Sequence, residues 1–149
     1  MQTFLPYPNI IESVQCLDNK RLGKQRVEAY QILRALTGYS SKWINHPAVR
    51  MWKGYNACLE MYMNLCIFEW VKRGFNNTML ICWPIDSKDY YKDKLLNSLL
   101  KVKIKYPFWF GIKGFHDSHK SNLLRKYPEH YKQFNWDVPN NSPYIWPVK

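Results

Sequence analysis

From about Ser13 to Leu36 the residues Leu22, Ala29, Leu33 and Leu36 recur at helical spacing, which predicts a helix with one apolar and one charged side. Gly38 stands where such a helix stops. A second helix is predicted to start between Asn45 and Pro47, where a capping residue and a first-turn proline precede Ala-Val-Arg-Met-Trp. It is expected to reach Gly74 with an irregularity at Gly54 and to bury Met51, Tyr55, Cys58, Tyr62 and Leu65. A third helix is expected from Asp86 or Ser87 to about Leu100, and a strand is an open alternative over Lys101 to Ile104.

Tyr106 to Phe115 reads as an aromatic-rich turn or loop. Short helices are expected over Ser118 to Lys126 and Pro128 to Phe134, followed by an extended tail ending Pro-Tyr-Ile-Trp-Pro. These elements predict a mainly α fold, one compact domain over residues 1–149 of about three main helices with short helices and aromatic-rich loops between them. Apolar residues at 46% and aromatics at 17% are enough to build a core and exclude a disordered chain.

Lys and Arg number 22 against 11 Asp and Glu, a formal charge of +11. That excess repels itself unless a polyanion shares it, so nucleic acid is the expected partner, with a merely basic surface as the alternative. Cys16, Cys58, Cys66 and Cys82 have no C-x-x-C spacing and read as reduced cysteines, mostly packed as small hydrophobes. The N-terminal residues lack the pattern of a secretion signal and no apolar run has membrane-spanning length. An intracellular protein is expected, in cytoplasm or nucleoid, or in a nucleus or virion if viral, with no membrane contact.

Arg21, Lys24 and Glu28 are three and four residues apart, on one face of the first predicted helix away from its leucines. A carboxylate among cations suits base excision: cations hold the DNA backbone while the carboxylate stabilises positive charge developing on the sugar. A solvated face with an ordinary Lys24–Glu28 pair has the same spacing. Arg26, at the edge of the apolar stripe, fits either a structural ion pair or a phosphate contact. His116 and His119 form H-x-x-H beside Asp117, and His46 lies in Asn-His-Pro. Without an evident third ligand no metal is expected there; DNA contact, proton transfer, and capping or core hydrogen bonds are all open to them.

The run Val14-Gln-Cys-Leu-Asp-Asn-Lys-Arg-Leu-Gly-Lys-Gln-Arg-Val-Glu28 resembles the first helix of the phage endonuclease V family, the pyrimidine dimer DNA glycosylases. Glu69-Trp-Val-Lys-Arg-Gly-Phe-Asn76 is similar to that family's E-x-x-K-R-G-F-N. Ser121-Asn-Leu-Leu-Arg-Lys-Tyr-Pro-Glu-His-Tyr131 resembles its last helix and basic aromatic tail. The resemblance places Glu28 on the catalytic glutamate. It implies an all-helical protein that flips a nucleotide, attacks sugar C1′ with a main-chain α-amine and cleaves the abasic site by β-elimination, with no cofactor or metal.

The expected partner is double-stranded DNA with damaged or modified bases, bound by a monomer. Candidate DNA contacts are Lys20, Arg21, Lys24, Arg26, His46, His116, His119, Lys120 and Arg125, with Phe108, Trp109 or Trp146 as stacking surfaces. The family exposes the amine of a small residue by removing the initiator methionine, whereas Gln2 follows Met1 here and about five more residues precede the first helix. Either Met1 carries the amine, or a lysine such as Lys20 or Lys24 forms the imine, or water activated by Glu28 does the work. The other readings are a non-catalytic binder of distorted or modified DNA or RNA, and a metal-independent nuclease.

Overall fold

The structure is a computed structural model that describes residues 1–79 and 104–148. The predicted helix from Asp86 or Ser87 to Leu100, most of the possible strand and Cys82 lie outside the described residues. The described part is mainly α, as the sequence predicts: six α-helices and one 3-10 helix, with no strand among the described residues. The α-helices are α1 (Ile10–Gln15), α2 (Asn19–Leu36), α3 (Pro47–Arg50), α4 (Asn56–Lys72), α5 (Lys113–Lys126) and α6 (Pro128–Tyr131). The 3-10 helix Lys132–Phe134 follows α6 directly.

The single helix expected from Ser13 to Leu36 is corrected to two, α1 and α2. Asp18 has extended backbone at the start of α2, and its side chain makes no capping bond. Instead Asp18 Oδ1 accepts the Tyr131 hydroxyl at 2.5 Å and Oδ2 pairs with Arg21 at 3.2 Å. The α1 end is closed from α4, where Arg73 donates to the carbonyls of Leu17 at 2.6 Å and Gln15 at 2.9 Å. Tyr131 and Arg73 are remote in sequence, so local periodicity runs through the break.

Gly38 does end α2. Its φ of +84° lets Gly38 N–H reach Ala35 and Tyr39 N–H reach Arg34, satisfying carbonyls of the last turn. Gly74 closes α4 in the same way, and Phe75 stacks on Trp70 at 4.2 Å, the apolar contact that accompanies such a cap. The second predicted helix is likewise two: the expected irregularity at Gly54 is a full break between α3 and α4. At the other end of the chain, α5 begins at Lys113, inside the expected loop, and α6 with its 3-10 extension covers Pro128 to Phe134 as predicted.

The core is the seam where α2 lies along α4, with α1 crossing α4. Leu22, Ala29, Ile32 and Leu33 meet Leu59, Tyr62, Met63 and Cys66 there. The E-x-x-K-R-G-F-N run holds this seam. Trp70 packs over Gly23, Arg26 lies 4.3 Å from the Trp70 ring centre, Trp70 Nε1 donates to Asn76 O, and Arg73 pairs with Glu69 at 3.0 Å. Cys16, Cys58 and Cys66 are buried free thiols; burial pushes Cys16 and Cys58 up to about 12, so they pack as neutral groups.

Candidate active site

The first residues run buried and extended across α2, α4 and α5, with side chains in place of a neighbouring strand. Gln2 N–H donates to Glu28 Oε2 at 3.3 Å, Phe4 N–H to Gln25 Oε1 at 2.8 Å and Leu5 N–H to His119 Nδ1 at 2.9 Å. Gln2 C=O accepts from Gln25 Nε2, and the one Tyr62 hydroxyl proton lies within reach of both Phe4 C=O and Gln25 Oε1. Backbone groups buried away from water need such partners, so these side chains set the position of the segment.

The long side chain of Gln2 folds inward. Gln2 is 5% exposed, and its Oε1 accepts the next N–H, that of Thr3, at 2.9 Å. Met1 stays partly exposed beside Glu28, one residue before the amide on that carboxylate. Met1, Gln2, Phe4, Lys20, Arg21, Lys24, Gln25, Glu28, Lys126 and Tyr144 line a cavity of about 300 Å³. Four cationic side chains thus surround Glu28 and the N-terminus. Lys20, Lys24 and Lys126 are exposed, and Arg21 is partly committed to Asp18.

His46 is half-buried on the same side. Its Nδ1 caps α3 by accepting Ala48 N–H at 3.0 Å, and its ring meets Trp43 and Trp146 edge-on at 5.9 and 5.7 Å. Burial lowers its pKa first and the N-terminal charge lowers it further, against an opposing pull from Glu28. The Trp146 ring neighbours Tyr144 of the cavity wall at 5.6 Å.

The remaining candidates lie elsewhere. His116 and His119 are 2% and 0% exposed, so their candidacy as DNA contacts is corrected to that of core residues. His116 Nε2 accepts Gly111 N–H, so its Nδ1 proton is the one donated to Leu5 C=O at 2.7 Å; His119 takes Leu5 N–H. Burial lowers both pKa values, that of His119 to about 3. Arg26 stacks on Trp70 and donates to Asn77 Oδ1 at 2.8 Å. Lys120 lies 3.7 Å from Asp117 and 5.1 Å from the Tyr7 ring centre, while Arg125 donates to Asn140 C=O and Ser142 C=O of the tail and to Asn122 Oδ1 of its own helix.

Of the aromatics, Trp109 is fully buried against Trp52 and Phe115 and donates to Met51 C=O. Its place as a stacking surface is corrected accordingly, whereas Phe108 is 69% exposed. Gln25, Lys126 and Tyr144 belong to the cavity without having been singled out from the sequence. Lys126 and Tyr144 do sit in the basic and aromatic C-terminal part, the one signal that could have nominated them.

A family model described as pyrimidine dimer DNA glycosylase matches residues 1–81. The chain belongs to this family. The match spans the N-terminal segment, Glu28 and the cations of α2, and stops before Lys126 and Tyr144, so the far wall of the cavity comes from outside it. The family is one of DNA glycosylases, which makes DNA the substrate polymer. No curated protein and no solved structure matches the chain. Among the described residues no helix is long and apolar enough to cross a membrane.

Proposed function

We propose that this protein excises damaged or modified pyrimidines from double-stranded DNA and then cleaves the abasic site, with the Met1 α-amine as nucleophile and Glu28 as the catalytic carboxylate. The observation that carries this reading is the Gln2 amide on Glu28 Oε2, which holds the preceding residue, Met1, in the same cationic cavity as the carboxylate.

The duplex is held through phosphates by Lys20, Arg21, Lys24 and Lys126, and the damaged nucleotide turns out of the stack into the cavity. Unstacking costs a few kcal/mol, which those contacts offset. The amine lone pair attacks C1′ as the C1′–N bond breaks, and the base leaves with that electron pair and takes up a proton. Glu28 stabilises the positive charge that develops on the sugar. Loss of a proton from the amine and opening of the sugar ring give an imine. Removal of a C2′ proton then expels the 3′ phosphate, and water hydrolyses the imine to free the enzyme.

The test is glycosidic-bond cleavage, read as base freed after photoreversal of the lesion, and strand cleavage on ultraviolet-irradiated duplex DNA in the presence of chelator, before and after selective acylation of the α-amine. Loss of strand cleavage on acylation is expected. Cleavage at the unmodified rate would remove the amine from the mechanism.

A further inference from the structure

Gln25 lies three residues before Glu28 on α2, is 1% exposed, and has every hydrogen-bonding position of its amide engaged. Oε1 accepts Phe4 N–H at 2.8 Å and the Tyr62 hydroxyl at 2.6 Å. Nε2 donates to Gln2 C=O at 3.0 Å and to Glu28 Oε2 at 3.0 Å. Phe4 N–H, Gln2 C=O and the Glu28 carboxylate fix which way the amide points, because a flipped amide would set NH₂ against the Phe4 N–H and Oε1 against two acceptors. Tyr62 is fully buried and its phenol is pushed well above the usual range by burial, so it remains a neutral donor.

We infer that Gln25 is a positioning residue that, held by Tyr62, sets both the N-terminal segment and the Glu28 carboxylate, so that amine and carboxylate face the same point. This inference rests on the proposed function for its kinetic consequence and on geometry alone for its structural one. A single buried amide joins the two partners, and no other side chain bonds both the N-terminal backbone and Glu28 among the described residues.

The test compares wild type with Gln25→Met, close in volume but without either set of bonds. Steady-state strand cleavage is measured on ultraviolet-irradiated duplex, and the Gln2 backbone amide, which donates to Glu28, is followed by NMR. Gln25→Met is expected to lower kcat by about 10²-fold, as misplacement of a reacting group does, with KM for DNA nearly unchanged. The Gln2 amide resonance should shift and broaden, because the carboxylate that accepts it has lost its own anchor. Gln25→Glu should work best at low pH, where its protonated carboxyl still donates, and fail as it ionises beside Glu28.

Wild-type kcat and an unmoved Gln2 amide resonance in Gln25→Met would overturn the assignment. Should that variant fail to fold, Tyr62→Phe removes the hydroxyl that orients the amide. It is expected to lower kcat less, again without a change in KM, and wild-type kcat in it would overturn the assignment too. If wild type itself cleaves neither a glycosidic bond nor the strand, the proposed function fails, and the Gln2 amide resonance in Gln25→Met still decides whether Gln25 holds the N-terminal segment on Glu28.

Discussion

Gln2 and Glu28, 26 positions apart, are joined by the Gln2 N–H on Glu28 Oε2 at 3.3 Å, so the N-terminus is built into the cavity and is not a free tail. Because the segment behind it is held by Gln25, Tyr62, His116 and His119, the amine end has little freedom relative to the carboxylate. The following expectations depend on that attachment.

Glu28→Gln keeps an acceptor for Gln2 N–H but removes the charge. Base release from damaged duplex should fall by about 10²–10³-fold, the size of losing one preorganised electrostatic group. Affinity for the duplex, measured by fluorescence anisotropy, should hold or rise, since one negative charge has left a cationic surface.

Lys24→Ala and Lys126→Ala should each weaken DNA binding regardless of sequence and reduce the slope of log affinity against log salt by about 1. Because Arg125 holds tail carbonyls, Arg125→Ala should instead lower Tm; an unchanged Tm together with a changed salt slope would reverse the two assignments.

Gly23 faces the Trp70 ring, and an added Cβ would lie 2.9 Å from it. Trp70 cannot easily give way, since Phe75, Arg26 and Asn76 C=O hold it. Gly23→Ala should therefore lose about 1–3 kcal/mol to overpacking, more than the gain of up to about 1 kcal/mol in helix propensity. A lower Tm in calorimetry is the expected result.

His119 has its pKa lowered by burial to about 3, from an ordinary 6.5. The unfolded chain therefore binds the extra proton between these values and the folded chain does not. Stability is full above about pH 6.5 and falls as pH drops toward 3, at about 1.4 kcal/mol per pH unit from this group. His116, also lowered, acts in the same direction. Urea unfolding at stepped pH should show that slope, and a flat profile would mean that the rings are protonated in the folded protein.

The parts of this architecture legible in the sequence are those set by neighbours. The α2 stripe and the stops at Gly38 and Gly74 follow from helical spacing and from a residue that tolerates positive φ. The break at Asp18 was not legible, because its partners Arg21, Tyr131 and Arg73 include two that arrive from distant helices. The face carrying Arg21, Lys24 and Glu28 was readable, as all three lie on α2 and reach one cavity. For His116 and His119 the sequence leaves DNA contact and core hydrogen bonds both open, because H-x-x-H shows two rings on one helix face but not that Leu5, more than a hundred residues earlier, lies beneath them. Gln25 was overlooked because a glutamine beside an apolar stripe is ordinary until the N-terminal segment packs onto it.

The central claim is that a main-chain amine beside Glu28 forms the imine. Borohydride added to the protein with abasic duplex DNA should trap a covalent adduct, and peptide mass mapping should place it at the N-terminal residue, with Glu28→Gln changing the yield but not the position. An adduct at Lys20 or Lys24, or none under conditions where the duplex is bound and cleaved, would contradict it.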